Sequence, residues 1–359
     1  PGKQESHFFK NIDIKNIDGI IEYVNDNQIN GIMPLNDFGT RTAFYVSQKL
    51  NLINPCYLSG ICGNDKGLMR DVWAHEKLLQ PKYKVISKDI SSLKFIEEIG
   101  FPLVVKPTDC GGGGRGITIA NDIETLYDAI SIASEFAEND RVIVEEFIEG
   151  VEVTVDSIAF QGEVYPLAVS DKEKPETKYR VATSLNYPAD FPEEIIKKIK
   201  HIAIKASEAL GIANGATHIE LIVTPQQKIY LVEIGTRGGG GHVFSTIIEA
   251  VTGISAPIQL AKILCGLKPD LTLKKNKGCV YRFFNPKDTG VIRNIEFDKS
   301  FIGDPDVLDF GITARIGDEF RGLVNSLERV GYVVTSGSSR EDAINKANQV
   351  EGTVHFTIE

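Results

Sequence analysis

"KPTDCGGGGRGITIA", residues 106–120, sets four consecutive glycines between two segments that both read as strand. Ahead of it "FPLVVKP" is a Val- and Leu-rich run ending at Pro107; after it "GITIA" is short and β-branched. The spacing fits G-x-G-x-x-G at Gly111, Gly113 and Gly116. A dinucleotide fingerprint, however, needs a helix immediately after the glycines, so that its N-terminus meets the pyrophosphate. Here the next helical pattern starts only near Asp122, and no GK[ST] follows, which also removes the P-loop reading. A glycine loop between strands is a hairpin tip that can fold over a triphosphate and offer it backbone N–H groups. A plain flexible turn is the competing reading. Lys106, ending the apolar strand, favours the phosphate site because an unpaired ammonium there needs an anionic partner. For such a lysine taken alone, a place on the surface is the commoner fate.

The rest of the chain reads as mixed α/β. "IDGIIEYVNDNQ" and "GTRTAFYVSQKLNL" have helical apolar spacing, and "NGIMPL" between them reads as a short buried strand. Together they suggest residues 1–64 as part of a Rossmann-like parallel α/β domain, expected to begin one β-α step in. From Asp65 the helix "DKGLMRDVWAHEKLLQ", the strand "YKVIS" and the helix "ISSLKFIEEIG" lead to the glycine hairpin. "RVIVEEFI", "VEVTVDSIAF" and "GEVYPLAVS" follow as strands, and the charge-dense 171–192 reads as one long loop of functional length. The formal net charge of −10 argues against nucleic acid or an anionic membrane as a partner. No run reaches the roughly 18 apolar residues of a membrane span. Five scattered cysteines without a CxxC pair suit reduced thiols in a cytoplasmic protein.

A second motif lies further on. "ATHIELIV" and "KIYLVEI" form a hairpin pattern, and a two-residue turn at Gln226–Gln227 would set Glu220 directly opposite Glu233. Like charges facing across a ladder destabilise it. At about 5 Å and an effective dielectric of about 20 the repulsion is roughly 3 kcal/mol. Such a pair calls for a cation or a shared proton, and two hard carboxylates suit Mg²⁺ or Mn²⁺ held jointly with phosphate oxygens. A one-residue slip or a larger turn would separate the two side chains. Arg237, four residues beyond Glu233, is placed to clamp charge on a transferring phosphoryl group or to form an ordinary ion pair.

Lys106 with its glycine hairpin, "VIVEEFIEGVEV", "THIE" and "VEIGTRGGGG", in this order, resemble the ATP-grasp superfamily. The resemblance implies two α+β lobes around ATP at residues 65–270, with the small lobe near 85–148. Residues 271–359 would complete the large lobe. It implies that Lys66 and Lys106 contact ATP phosphates and that Gly112, Gly113 and Gly114 close over them. Glu145 and Ile148 would recognise adenine, Glu152 the ribose, and Glu220 and Glu233 the metal. Arg237 would stabilise an acyl phosphate. One departure stands out: where many members carry Asn in Glu-x-Asn-x-Arg, this chain has Gly235.

"THIE" with "E-x-G-x-R-G-G-G" and the terminal "GYVVTSGSSREDAINKA" look most like the bacterial L-amino-acid ligase branch. The activity implied is ATP-dependent joining of a carboxylate to an amine through an acyl phosphate, with Mg²⁺ or Mn²⁺. Small-molecule substrates and a homodimer are the expected partners. Carbamoyl-phosphate-synthetase-like or purine-pathway chemistry is the alternative within the superfamily; a non-catalytic ATP-binding regulatory module is the alternative outside enzymes. His218 reads as a packed histidine, and His242, opening a helix after glycines, as one facing substrate.

Overall fold

The computed structural model describes residues 6, 8–87, 93–175, 177 and 179–359. Up to Asn64 these form helices Ile17–Asp26, Asp37–Lys49 and Tyr57–Cys62, and no strand among the described residues. Asn16 and Asn36 cap the first two helices by accepting the N–H of Gly19 and Gly39. "NGIMPL", expected as a strand, has no ladder neighbour among the described residues and cannot pair as one. Met33 instead packs on Ala216, Leu260 and Leu264.

The small sheet comprises β1 (Tyr83–Ile86), β2 (Leu103–Pro107), β3 (Thr118–Ala120) and β4 (Val142–Glu146), in the order β1-β4-β2-β3. Every pairing is antiparallel, and β2–β3 is the hairpin that carries the glycine loop. Helix Ile123–Phe136 opens with a capping box between Asp122 and Thr125. It buries Leu126, Ala129, Ile130 and Ala133 against Leu103, Val105 and Val144.

The large sheet is built from β5 (Val151–Phe160), β6 (Glu163–Glu173), β7 (Ser184–Tyr187), β8 (Gly215–Val223), β9 (Ile229–Gly235) and β10 (Gly278–Phe284). After β11 (Gly290–Glu296), β12 (Val307–Ile312) joins it, and after β13 (Glu319–Phe320), so does β14 (Gly331–Gly337). The order is β12-β14-β10-β7-β6-β5-β8-β9, so the last third of the chain extends the sheet that holds β8 and β9. β15 (His355–Ile358) pairs β11 in a separate three-stranded sheet.

Helix Glu193–Ala209 has apolar residues at helical spacing, so Ile195, Ile199, Ala203 and Ala206 fall on one face, which is buried against β5, β8 and β9. Burying each isoleucine stabilises by roughly 1.5–3 kcal/mol. The apolar segments Val243–Thr252 and Ala256–Leu264 meet at a bend of 111° and contribute to another core. Among the described residues no single helix is long and apolar enough to cross a membrane.

The stretch 171–192 is not one loop. Its first residues complete β6 and Ser184–Tyr187 form β7, which bridges β6 to β10. Polar residues there are compatible with strand because they meet partners: Asn186 donates to Asp171 and Glu173.

Candidate active site

Between the two sheets lies a cavity of about 600 Å³. Gly112, Gly113, Gly114, Lys106, Glu145, Ile148, Glu152, Glu220, Glu233 and Arg237 all line it. Lys66 does not line it and reaches the site through Glu233. The glycine loop lies across β2–β3 as its tip, with Gly111, Gly113, Gly114 and Gly116 at positive φ. A side chain at any of the four is strained, which explains the composition of the loop. Two contacts hold it: Gly112 N–H donates to Asp37 Oδ2 (3.2 Å), and Ser326 N–H donates to Gly113 O (3.0 Å).

Glu220 and Glu233 are ladder partners. The route to that register differs from the expected two-residue turn. The connection is wider, closed by Thr224 N–H to Lys228 O, so that Val223 pairs Ile229 and Leu221 pairs Leu231. Val232 is then an extra residue, a β-bulge, and brings Glu233 opposite Glu220. The sequence carries a trace of it: buried Ile229, Leu231 and Ile234 are spaced by two and then by three. Arg70 holds the bulge from outside the ladder, donating to Leu231 O (3.0 Å) and Val232 O (2.8 Å).

The carboxylates are neutralised by lysines. Lys172 donates to Glu220 Oε1 and Glu152 Oε1, both at 2.6 Å, and Lys174 also pairs with Glu152. Lys66 Nζ lies 3.3 Å from Glu233. Burial alone would raise the Glu220 carboxyl, yet Lys172 holds it well below its ordinary range. Burial likewise would lower Lys66, but Glu233 raises it. Lys172 and Lys66 thus flank the facing glutamates as protein counter-charges. Among the described residues no group of three or more His, Cys, Asp or Glu side chains gathers as a metal cage. Two facing carboxylates still fit Mg²⁺, which commonly takes one or two protein carboxylates and completes its shell with phosphates and water.

Lys106 Nζ sits 2.7 Å from Glu145 Oε2, and Arg70 Nε 2.8 Å from Oε1. Burial would push the Glu145 carboxyl up, but Arg70 and Lys106 prevail and bring it down to about 2. Glu145 thus spends both oxygens on positioning cations. Arg237 donates to Asp37 Oδ2 at 2.9 Å, not to Glu233. Gly235 makes room for it: a Cβ there would lie 3.0 Å from Nη1 of Arg237. The guanidinium thus fills the space above Gly235, where an asparagine side chain would project.

His218 is packed as expected, largely buried on Asp156, and His242 does not face the cavity. His218 lines the cavity with Nδ1 2.8 Å from Asp156, whereas His242 is drawn aside to Asp309 (3.1 Å) and packs against Tyr332. Arg70, Asp37 and Lys172 escaped the sequence reading. For Arg70 a signal existed, because Lys66, Arg70 and Trp73 share the buried face of helix Lys66–His75.

Two family models match: "D-ala D-ala ligase C-terminus" over residues 71–251, half of the chain, and "L-amino acid ligase C-terminal domain 2" over residues 282–359. The chain belongs to the D-ala D-ala ligase family of ATP-grasp proteins. A D-alanine–D-alanine ligase of Buchnera aphidicola subsp. Schizaphis graminum is 32% identical to this ATP-grasp chain over 225 residues, covering 58% of it and 70% of the relative. The alanine–anticapsin ligase of Bacillus subtilis strain 168 is 29% identical over 223 residues, 56% of this chain and 46% of that protein. The chain thus spans about half the length of that relative. In fold it is similar to the L-amino acid ligase from Bacillus licheniformis, with a TM-score of 0.82, 20% identity and coverage of 97% and 85% of the two chains.

Proposed function

We propose that this protein is an ATP-dependent ligase that joins a carboxylate, an amino acid by the likeness to its relatives, to an amine. The observation that carries the reading is the shared wall of one cavity: the glycine hairpin, Lys106, the facing glutamates Glu220 and Glu233, and Arg237. In this reading Ile148 contacts adenine through its backbone and Glu152 accepts from the ribose hydroxyls, with Lys172 and Lys174 holding its carboxylate in place. The glycine loop covers the phosphates with its N–H groups, and Lys106, aligned by Glu145, neutralises their charge. Lys66 serves the same phosphates from beneath Glu233.

A substrate carboxylate oxygen attacks the γ-phosphorus; the bond to the β-phosphate oxygen breaks, leaving ADP and an acyl phosphate. An amine nitrogen then attacks the acyl carbon, the carbon–oxygen bond to phosphate breaks, and a proton is lost to solvent. Arg237 faces the charge that develops in both steps. Glu220 and Glu233 would hold Mg²⁺ or Mn²⁺, which supplies Lewis-acid polarisation of phosphate oxygens. Chemistry of this kind draws on cytoplasmic ATP.

A screen of amino-acid pairs for release of ADP and phosphate with Mg-ATP tests the reading. At least one pair should stimulate release, and Glu233→Gln should abolish the stimulation. Release that no pair raises above the ATP-only background would refute it, and ATP binding alone would then favour a non-catalytic module.

A further inference from the structure

Arg329 lies three residues beyond Ser326, the residue that clamps the glycine-loop tip, and it lines the same cavity. Its guanidinium carbon sits 3.5 Å from the centre of the Phe283 ring, which fixes the plane of the fork. One Nη donates to Ala182 O at 2.7 Å, and Nε is shut away without a partner. Among the described residues no carboxylate pairs with it. Burial holds its pKa down to about 10, the mark of a desolvated cation without a counter-ion. Of the other cations on this wall, Lys106 is balanced by Glu145, Lys172 and Lys174 by Glu152 and Arg237 by Asp37, while Arg180 lies over the Phe147 ring.

A stacked guanidinium with free Nη donors matches a planar carboxylate in two-point fashion. Two carboxylates enter a reaction that joins two amino acids. The donor's is consumed at the phosphoryl transfer, beside Arg237. The acceptor's is never touched and must be parked within one amino acid's length of the attacking nitrogen. Arg329 is tied to the side of the cavity that carries Arg237: its platform Phe283 packs on Tyr281 at 4.3 Å, and Tyr281 abuts Gly241 in the segment that follows Arg237.

We infer that Arg329 holds the free carboxylate of the acceptor and is the residue by which the protein prefers an acceptor acid to its amide. This rests on the ligase reading above. The two are separated by using hydroxylamine, which traps the acyl phosphate as a hydroxamate without any acceptor carboxylate. Wild-type protein should form hydroxamate from the donor and ATP, and it should use the acceptor amino acid at least 10-fold better in kcat/KM than the corresponding amino-acid amide. Arg329→Met should keep hydroxamate formation within about twofold, lose at least 10-fold in kcat/KM for the acceptor acid, and no longer distinguish acid from amide. Arg329→Lys should recover part of that loss.

Equal use of acid and amide by the wild type would overturn the inference with no variant needed. A parallel fall of hydroxamate and peptide formation in both variants would overturn it too, by assigning Arg329 to the donor, to ATP or to the scaffold. Absence of hydroxamate in the wild type would instead sink the ligase reading itself.

Discussion

Arg70→Met tests the reasoning about how the site is held. Arg70 is 1% exposed and donates to Glu145 and to two carbonyls of β9. Methionine fills similar volume but leaves one buried carboxylate with half its compensation and two carbonyls without that donor. Removing one partner of a buried ion pair costs about 3–5 kcal/mol, and unsatisfied buried carbonyls cost about 1–3 kcal/mol each. These contributions overlap, so a total of about 4 kcal/mol is expected from urea unfolding midpoints. Arg70→Met combined with Glu145→Gln should cost at least 1 kcal/mol less than the sum of the single variants, because the introduced methionine then faces a neutral side chain. A single-variant loss under 1 kcal/mol, or strict additivity, would show that the arginine does not carry the bulge.

The same pair sets an acid sensitivity. Glu145 has its carboxyl lowered from 4.5 to about 2 in the folded chain. A lowered folded pKa gives stability that is full above pH 4.5 and lost as pH falls towards 2, here about 3 kcal/mol. Acid titration of Glu145→Gln should lack that share of the slope. Gly238→Ala would put a Cβ 2.2 Å from the Phe244 ring, and overpacking of this kind costs about 1–3 kcal/mol by thermal or urea unfolding. Gly113→Ala, at φ +93 and 2.9 Å from Ser326 Oγ, should unseat the loop; ADP release should fall at least 10-fold with little change in melting temperature. Asp37→Ala removes the acceptor shared by Gly112 and Arg237, so limited proteolysis within residues 111–116 should quicken several-fold and Mg-ATP should slow it again.

The hairpin tip was legible because strand, glycine and β-branched runs are local signals, and β2–β3 pair as those runs suggest. The facing glutamates were legible in outcome and not in route. A turn of assumed length gave the right partners only because a wider turn and a bulge compensate each other. What stayed hidden is long-range charge matching. Asp37 and Arg237 are 200 residues apart, and Lys172 meets Glu220 across 48. Nothing in local spacing encodes such pairs, since they follow from where whole strands and helices come to rest. The stretch 171–192 misled for a related reason: Asp171, Glu173 and Asn186 look like loop residues until neighbouring strands supply their hydrogen bonds.

Val232 decides a question of parity. Side chains alternate along a strand, so which face a residue takes depends on whether an odd or even number of positions separates it from the turn. Were the same sequence paired without a bulge, Glu220 would face Val232, Glu233 would turn to the core, and Ile234 would turn to the cavity. The bulge therefore lets the turn keep one count and the site another. A residue gained or lost within the turn can be absorbed as loop length, whereas deleting Val232 would take out the bulge itself and leave Leu231 opposite Leu221 and Glu233 opposite Glu220 in a regular ladder.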